Sequence, residues 1–205
     1  MSIRAVIWDM GGVLLRTKNY TSRERLAQSL GMSRVELEEL VFWGESGSRG
    51  QLGEITMDEH WENLRLQLNL SRRAMVDFKE DFWSGDQVDL ELIEFIRKLR
   101  INYKTGLLSN AFSNLRQVIC ETWKFADAFD EMIISAEVGM VKPDSRIYYL
   151  ALERLGVHAE EAVFIDDFSQ NIEGARLLNM HAIHFKNSKQ ALVDLKQLLD
   201  GDVSK

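Results

Sequence analysis

The sequence predicts an α/β fold in which a doubly wound, Rossmann-like parallel sheet carries a small all-helical cap inserted after its first strand. Three observations predict this fold. An apolar run at residues 5–8 leads into a glycine turn, which is typical of a buried strand. Residues 17–88 show helical spacing and no convincing strand. From about residue 101 to 200, short apolar runs alternate with amphipathic segments, which indicates parallel strands joined by right-handed helical crossovers.

The first strand delivers one carboxylate, Asp9, into that turn. Gly11 and Gly12 follow it and let the backbone turn sharply and approach a bound group closely. Aspartate also caps turns at strand ends, so Asp9 taken alone is compatible with a purely structural role.

The segment after the first strand is predicted to form the cap. A Gly-punctuated polar stretch between Gly44 and Gly53 is expected to be a mobile loop, and Trp43 is expected to pack in the cap core. We divide the chain into a core domain, residues 1–16 and 89–205, and a helical cap, residues 17–88. Helices are predicted at residues 22–30, 34–43, 57–68 and 72–83, with a return helix near residues 89–99.

The second half of the chain is predicted to complete the sheet. Ligands of such sheets bind beyond the carboxyl ends of the strands, so residues that follow strands are the candidates for a site. Strands are predicted at residues 103–109, 131–135, 162–166 and 181–185, and helices at residues 112–124, 144–155, 169–179 and 188–200.

Composition excludes several classes of protein. The net charge of −7 argues against a nucleic-acid-binding surface. Cys120 is the only cysteine, so no internal disulfide can form; we expect it to be a small core residue in a reducing compartment. No signal peptide or membrane span is apparent, and we expect a cytoplasmic protein without a membrane partner, either a monomer or a homodimer.

Polar residues collect where predicted strands end. Because the carboxyl ends of parallel strands meet at one edge of a sheet, we expect these residues to converge where helix N-termini favour an anion. Adjacent carboxylates beside an anion repel one another unless a cation lies among them, and oxygen ligands suit Mg²⁺. The residues are Asp9, Ser109, Asn110, Lys142, Asp166 and Asp167.

Four segments, in this order, resemble the motifs of the haloacid dehalogenase superfamily, which is dominated by Mg²⁺-dependent phosphatases. They are DMGGVL, LLSNA, VKPD and FIDDFSQN, and the resemblance spans about residues 3 to 186. The chain looks most like the branch of sugar-phosphate phosphatases and the phosphatase-like domain of soluble epoxide hydrolases. The resemblance implies that the cap closes over the site as a lid and selects the substrate.

The resemblance also implies roles on the phosphate side of the site. Asp9 would attack a phosphoryl group and form an aspartyl-phosphate. Ser109 would donate its hydroxyl to a phosphate oxygen, assisted by backbone amides around Asn110. Lys142 would balance the negative charge of the phosphate and of Asp9.

On the metal side, the resemblance implies a Mg²⁺ site. Asp9, Asp167 and the carbonyl of Gly11 would bind the ion directly, while Asp166 would ligate it or hold its water. The ion would screen the nucleophile from the phosphate and polarise the phosphoryl group.

One position departs from the family pattern. Most family phosphatases carry a second aspartate two residues after the nucleophile as general acid and base, and this chain has Gly11 there. The absence of that aspartate is compatible with a slow enzyme, with a substitute proton donor, or with a substrate whose leaving group departs easily, such as a sugar 1-phosphate. The sequence therefore predicts a Mg²⁺-dependent phosphatase of a small phosphorylated metabolite.

The sequence leaves three alternative functions to compare with this one. A non-catalytic phosphate-binding protein fits the glycine at position 11. A metal-independent haloacid dehalogenase also lacks the second aspartate, but it does not need the pair Asp166–Asp167. A response-regulator receiver places its acidic pair before its phosphoacceptor, which is the reverse of the order in this chain.

Overall fold

The structure, a computed structural model, describes residues 2–201 and contains a five-stranded parallel sheet at its centre. The strands are β1 (Ala5–Trp8), β4 (Lys104–Ser109), β5 (Glu131–Ile134), β6 (Ala162–Asp166) and β7 (His181–His184). They lie in the order β5-β4-β1-β6-β7, with Ala5 of the central strand opposite Lys104 on one side and Ala162 on the other. The predicted fold class is confirmed.

Helices cover both faces of this sheet, as expected for a doubly wound fold. Because successive side chains of a strand point to opposite faces, Val6 and Trp8 join one apolar cluster, whereas Ala5 and Ile7 join the other. The first cluster is covered by α6 (Leu90–Leu99) and α11 (Ser188–Gly201), and the second by α9 (Ser145–Leu155) and α10 (Ser169–Leu177).

Five helices between the first strand and α6 surround an apolar cluster of their own. Trp61, Leu64 and Phe82 lie at its centre and are almost completely buried. These helices are α1 (Thr21–Ser29), α2 (Arg34–Phe42), α3 (Glu45–Gln51), α4 (Met57–Gln67) and α5 (Arg72–Trp83).

Helix α3 replaces the mobile loop that the sequence predicted between Gly44 and Gly53, so that prediction was wrong. Small residues let the helix pack closely. A β-carbon on Gly47 would lie 2.4 Å from the carbonyl oxygen of Val41, and one on Gly50 would lie 2.6 Å from the ring of Phe112. The glycines therefore permit a close contact rather than a flexible loop.

A short antiparallel ribbon connects the two parts of the chain and was not predicted. Strand β2 (Leu15–Thr17) pairs with β3 (Asp86–Val88), where the sequence indicated no strand after residue 16. Each strand has only three residues, too few to show an alternating pattern. The ribbon is held by the hydroxyl of Thr17, which donates to Asp86 at 2.6 Å, and it lies at the boundaries predicted between core and cap.

The helix predicted at residues 112–124 is also different. The chain forms one turn of α-helix, α7 (Leu115–Gln117), followed by a π-helix (Val118–Trp123). The wider π turn places Ile119 in the core and leaves Cys120 exposed, so the expectation of a buried cysteine was wrong.

The other predicted elements differ from the observed ones by no more than two residues at either end. A further short helix, α8 (Ser135–Val138), follows β5 directly. Within residues 2–201, every helix is too short or too polar to cross a lipid bilayer.

Candidate active site

The carboxyl ends of the central strands bring two aspartates side by side. Trp8 of β1 pairs with Ile165 of β6, and the backbone amide of Asp9 donates to the carbonyl of Ile165 at 2.9 Å. Asp166, the last residue of β6, therefore lies next to Asp9. Both are buried, and this position follows directly from the parallel register.

Lys142 links these two carboxylates. Its ammonium nitrogen lies 2.7 Å from Asp9 Oδ1 and 2.7 Å from Asp166 Oδ2, and only 1% of its side chain is exposed. A buried ammonium is stable only where its charge is compensated. Its pKa is raised despite burial, because the attraction of the two carboxylates outweighs desolvation. Lys142 therefore stays charged.

The side chain of Asn110 fixes the loop that carries this lysine. Its amide nitrogen donates to the carbonyl of Lys142 at 3.0 Å, and its carbonyl oxygen accepts from the amide of Lys142 at 2.8 Å. Ser109, at the end of β4, is buried beside it. The next amide, that of Ala111, is occupied, because it donates to the hydroxyl of Ser135 at 2.9 Å.

Asp166 is held by several donors at once. Besides Lys142, the side-chain amide of Asn171 donates to both of its oxygens, at 3.0 and 2.9 Å, and the backbone amide of Phe168 donates to Oδ1 at 2.7 Å. Each oxygen thus accepts two hydrogen bonds. Asp166 is suited to orienting its neighbours, with little capacity left for a further ligand.

Asp167 has the opposite character. Its Oδ1 atom is buried and has no hydrogen-bond donor within residues 2–201. A β-carbon on Gly12, which has a φ of 75°, would lie 2.1 Å from Asp167 Oδ2, so only glycine leaves room for this carboxylate. Oxygens of Asp9, Asp166 and Asp167 all lie within 4.8 Å of one another, a donor set that fits a hard cation such as Mg²⁺.

The electrostatics of the cluster also fit a cation. Burial raises the pKa of Asp9 to about 7, with Lys142 opposing the shift and Asp166 adding to it. Burial and the charge of Asp166 raise the pKa of Asp167 to about 6. Three carboxylates share one ammonium group, so the cluster favours a bound positive charge.

Gly11 leaves a gap where the family pattern has a carboxylate. A β-carbon built on it meets no heavy atom within 4 Å, and its φ lies outside the left-handed region. The backbone of Gly11 could therefore carry a side chain, because among residues 2–201 no group lies close to that β-carbon. The role of its carbonyl as a metal ligand stays a prediction.

Several residues near this cluster were not predicted. Asn171 lies five positions after Asp166, within the FSQN segment, and Ser135 follows β5 directly, so their place after strands was an available signal. His184 donates from Nε2 to the backbone carbonyl of Asp167 at 2.8 Å. Trp43, expected in the cap core, is instead 54% exposed.

Comparisons with known proteins identify the family of this chain. A family model of haloacid dehalogenase-like hydrolases matches residues 3–179. A sesquiterpene phosphatase from Aspergillus oryzae is 25% identical, with 97% of each chain covered. Bifunctional epoxide hydrolase 2 of Sus scrofa is 28% identical over 97% of this chain, which spans only 39% of that protein.

Solved structures show the same fold. A HAD family enzyme from Bacteroides thetaiotaomicron, crystallised with magnesium and inorganic phosphate, superimposes with a TM-score of 0.72 at 23% identity. The alignment covers 91% of this chain and 96% of that enzyme. At this level of identity the likeness shows the fold of this chain and nothing finer.

Proposed function

The chain belongs to the haloacid dehalogenase-like hydrolases, since the family model spans most of its length, and from this premise we propose that it is a Mg²⁺-dependent phosphatase of a small phosphorylated metabolite. One observation carries the proposal. The ammonium of Lys142 lies 2.7 Å from both Asp9 and Asp166, while Asp167 belongs to the same cluster and has a buried oxygen without a hydrogen-bond donor within residues 2–201. This arrangement can hold a nucleophile, a dianion and a cation together.

Asp9 is the proposed nucleophile. One of its carboxylate oxygens forms a bond to phosphorus while the bond from phosphorus to the leaving-group oxygen breaks, giving an aspartyl-phosphate. Water then attacks this phosphorus, which releases orthophosphate and restores the carboxylate. Two easier steps replace one difficult hydrolysis.

Lys142 and its supports prepare Asp9 for that step. The ion pair at Asp9 Oδ1 favours the charged form of a carboxylate whose pKa burial raises, and it fixes the orientation of the group. Asp166, held by Asn171 and by the amide of Phe168, keeps the ammonium in place. Lys142 also compensates the charge of the incoming phosphate.

Asp9, Asp167 and the carbonyl of Gly11 are the proposed ligands of Mg²⁺, with Asp166 at the edge of the site. A bound Mg²⁺ supplies charge compensation and polarises the phosphoryl oxygens. The unpaired Asp167 Oδ1 supports this assignment, because a buried carboxylate oxygen without a donor is costly unless a ligand satisfies it. The same pair of aspartates argues against a metal-independent dehalogenase.

The phosphate-binding roles of Ser109 and Asn110 remain part of the proposal, with one refinement. The side chain of Asn110 is occupied by the backbone of Lys142, so it can serve the phosphate only through its backbone or by positioning the lysine. Ser109 keeps the proposed role of hydroxyl donor at the end of β4.

The gap at Gly11 bears on the substrate. Without a carboxyl group to protonate the leaving oxygen, a leaving group of low basicity is favoured, and a sugar 1-phosphate is one example. The same gap is the observation that favours the second candidate function, a non-catalytic phosphate-binding protein.

Phosphate release separates these two functions. We would assay sugar phosphates, nucleotides and an aryl phosphate with Mg²⁺ and with chelator, using the wild type, Asp9→Asn and, as control, Asp58→Asn on the exposed cap surface. A phosphatase gives Mg²⁺-dependent release that Asp9→Asn abolishes and Asp58→Asn retains. Binding of Mg²⁺ and phosphate without any release would establish the non-catalytic function instead.

A further inference from the structure

Two aromatic contacts between residues of the described chain connect the cap with the core, and they differ in exposure. His60 of α4 stacks on Phe112 with ring centroids 4.7 Å apart, and both rings are buried. Trp43 contacts Phe168 with centroids 5.8 Å apart and planes at 50°, yet these two side chains are 54% and 48% exposed. The first contact joins the domains, whereas the second leaves aromatic surface open.

The open pair lies beside the acidic cluster. Phe168 directly follows Asp167, and its backbone amide donates to Asp166 Oδ1 at 2.7 Å. Its ring is therefore attached to the loop that carries both carboxylates. Trp43 contacts this ring from the cap, so the two exposed aromatic side chains form one surface attached to the loop of the acidic pair.

Trp43 is held firmly on the cap side. It follows the last residue of α2, and its backbone amide donates to the carbonyl of Glu39 at 2.8 Å. Its ring packs edge-on against Phe42 at 5.6 Å, and Phe42 contacts Phe82 in the cap core at the same distance. An anchored ring loses little conformational entropy when it binds a ligand.

The faces of these two rings carry no charged partner. Within residues 2–201, cations lie over other aromatic rings, such as Arg34 over Tyr20 and Lys79 over Trp61, but none lies over Trp43 or Phe168. The exposed aromatic surface is thus free for a flat apolar group, which would stack or pack edge-to-face on it.

We propose that Trp43 and Phe168 bind the leaving group of the substrate, and that this group is aromatic, so that the substrate is an aryl phosphate monoester. This inference rests on the proposed phosphatase function. A phenol, with a pKa near 10 like that of tyrosine, departs with far less protonation than an alkyl alcohol. The aromatic pair and the gap at Gly11 therefore point to the same leaving group. A sugar ring presents a smaller apolar face than a phenyl ring, so it gains less from packing on this pair.

The kinetic test compares kcat/KM for phenyl phosphate with kcat/KM for glucose 1-phosphate. The ratio of the two values is measured in the wild type, Trp43→Ala, Trp43→Phe and the control Leu66→Ala, which removes another exposed apolar side chain of the cap. We expect Trp43→Ala to lower the ratio by about tenfold or more, Trp43→Phe to recover most of it, and Leu66→Ala to leave it unchanged. Comparing variants cancels the intrinsic reactivity of each substrate.

Binding of phenyl phosphate can be measured in a variant that lacks the proposed nucleophile. Calorimetry with Asp9→Asn and Mg²⁺ measures the Kd of phenyl phosphate, with and without the additional change Trp43→Ala. Weaker binding of about tenfold in the double variant supports the aromatic site, even if no substrate is turned over and the phosphatase function fails. Equal Kd values, or an unchanged kinetic ratio in an active Trp43→Ala enzyme, would overturn the inference while leaving the phosphatase function intact.

Discussion

Replacing Gly11 by aspartate is expected to convert this site into one that cleaves less reactive esters. The structure leaves room for the change, because a β-carbon at this position meets no heavy atom within 4 Å. The neighbouring Gly12 offers no such space, since its β-carbon would overlap with the carboxylate of Asp167. Position 11 is therefore the place in this turn where a proton donor can be added without moving the acidic pair.

The gain depends on the leaving group. General acid catalysis contributes about 10² to 10⁴ in rate where the leaving oxygen needs a proton. Part of that gain is lost here, because the new carboxylate adds a negative charge beside Asp9 and Asp167, whose pKa values are already raised to about 7 and about 6. We expect kcat/KM to rise by about 10- to 100-fold for an alkyl phosphate and by less than about threefold for an aryl phosphate.

The assay measures phosphate release from glycerol phosphate and phenyl phosphate at saturating Mg²⁺. Gly11→Asn is the matched control, since its side chain has the same shape and cannot transfer the proton. A folded Gly11→Asp enzyme with no gain on glycerol phosphate, or with an equal gain for both esters, would show that the added carboxyl group does not protonate the leaving group. The same gain in Gly11→Asn would show that the cause is steric.

Three other variants test the electrostatics and packing of the structure. Lys142→Met leaves two buried carboxylates without their cation. In the presence of a chelator, this variant should be less stable than the wild type by about 3–5 kcal/mol, and its Tm should be lower by roughly 10 °C. Added Mg²⁺ should reduce this difference in stability. Burial lowers the pKa of His60 from 6.5 to about 4, so the unfolded chain takes up a proton first as pH falls. Relative to His60→Gln, the free energy of unfolding of the wild type should therefore be highest above pH 6.5. It should fall by up to about 2 kcal/mol as the pH is lowered toward 4. Gly12→Ala should cost about 1–3 kcal/mol and weaken Mg²⁺ binding, because the new methyl group displaces the carboxylate of Asp167.

Lys142→Met and Gly12→Ala each have a matched control variant, and His60→Gln is compared with the wild type across pH. Stability is measured by urea or thermal unfolding, and metal affinity by Mg²⁺ titration. Lys189→Met removes an exposed lysine and should change stability by less than about 0.5 kcal/mol. Gly31→Ala has the same backbone strain as Gly12→Ala, with a φ of 72°, but meets no neighbour. If it weakens Mg²⁺ binding equally, contact with the acidic pair is not the cause. If the difference in free energy of unfolding between the wild type and His60→Gln does not change with pH, then His60 is not held in its neutral form by burial.

The sheet and its helices could be predicted because their signals are local. Long apolar runs such as residues 162–166 read as buried strands, and parallel strands bring their carboxyl ends to one edge. The structure therefore brings Asp9 and Asp166 together, as expected from the chain alone. Lys142 was expected at the same edge, because it lies in the loop after the strand predicted at residues 131–135. No local pattern indicates, however, that its ammonium group contacts both carboxylates.

The parts that could not be predicted depend on tertiary contacts. The α3 helix contains Gly47 and Gly50, which local propensity assigns to a loop. It forms because close packing against α2 and the ring of Phe112 outweighs that propensity. Trp43 has the spacing of a core residue, yet it is 54% exposed and contacts Phe168 across the interface instead of packing in the cap core. Interfaces between domains leave no periodic pattern in a sequence.

The charges of the site couple the binding of a cation to the binding of phosphate. When all three are ionised, Asp9, Asp166 and Asp167 carry three negative charges against the single positive charge of Lys142, so a phosphate dianion would meet net repulsion in the absence of a cation. The hydrogen bonds to Asp166 spread its charge but do not neutralise it. The free oxygen of Asp167 is the point where compensation can enter. A divalent cation bound there, as proposed, would remove the net negative charge. Cation and phosphate would then favour each other's binding, each by the same factor.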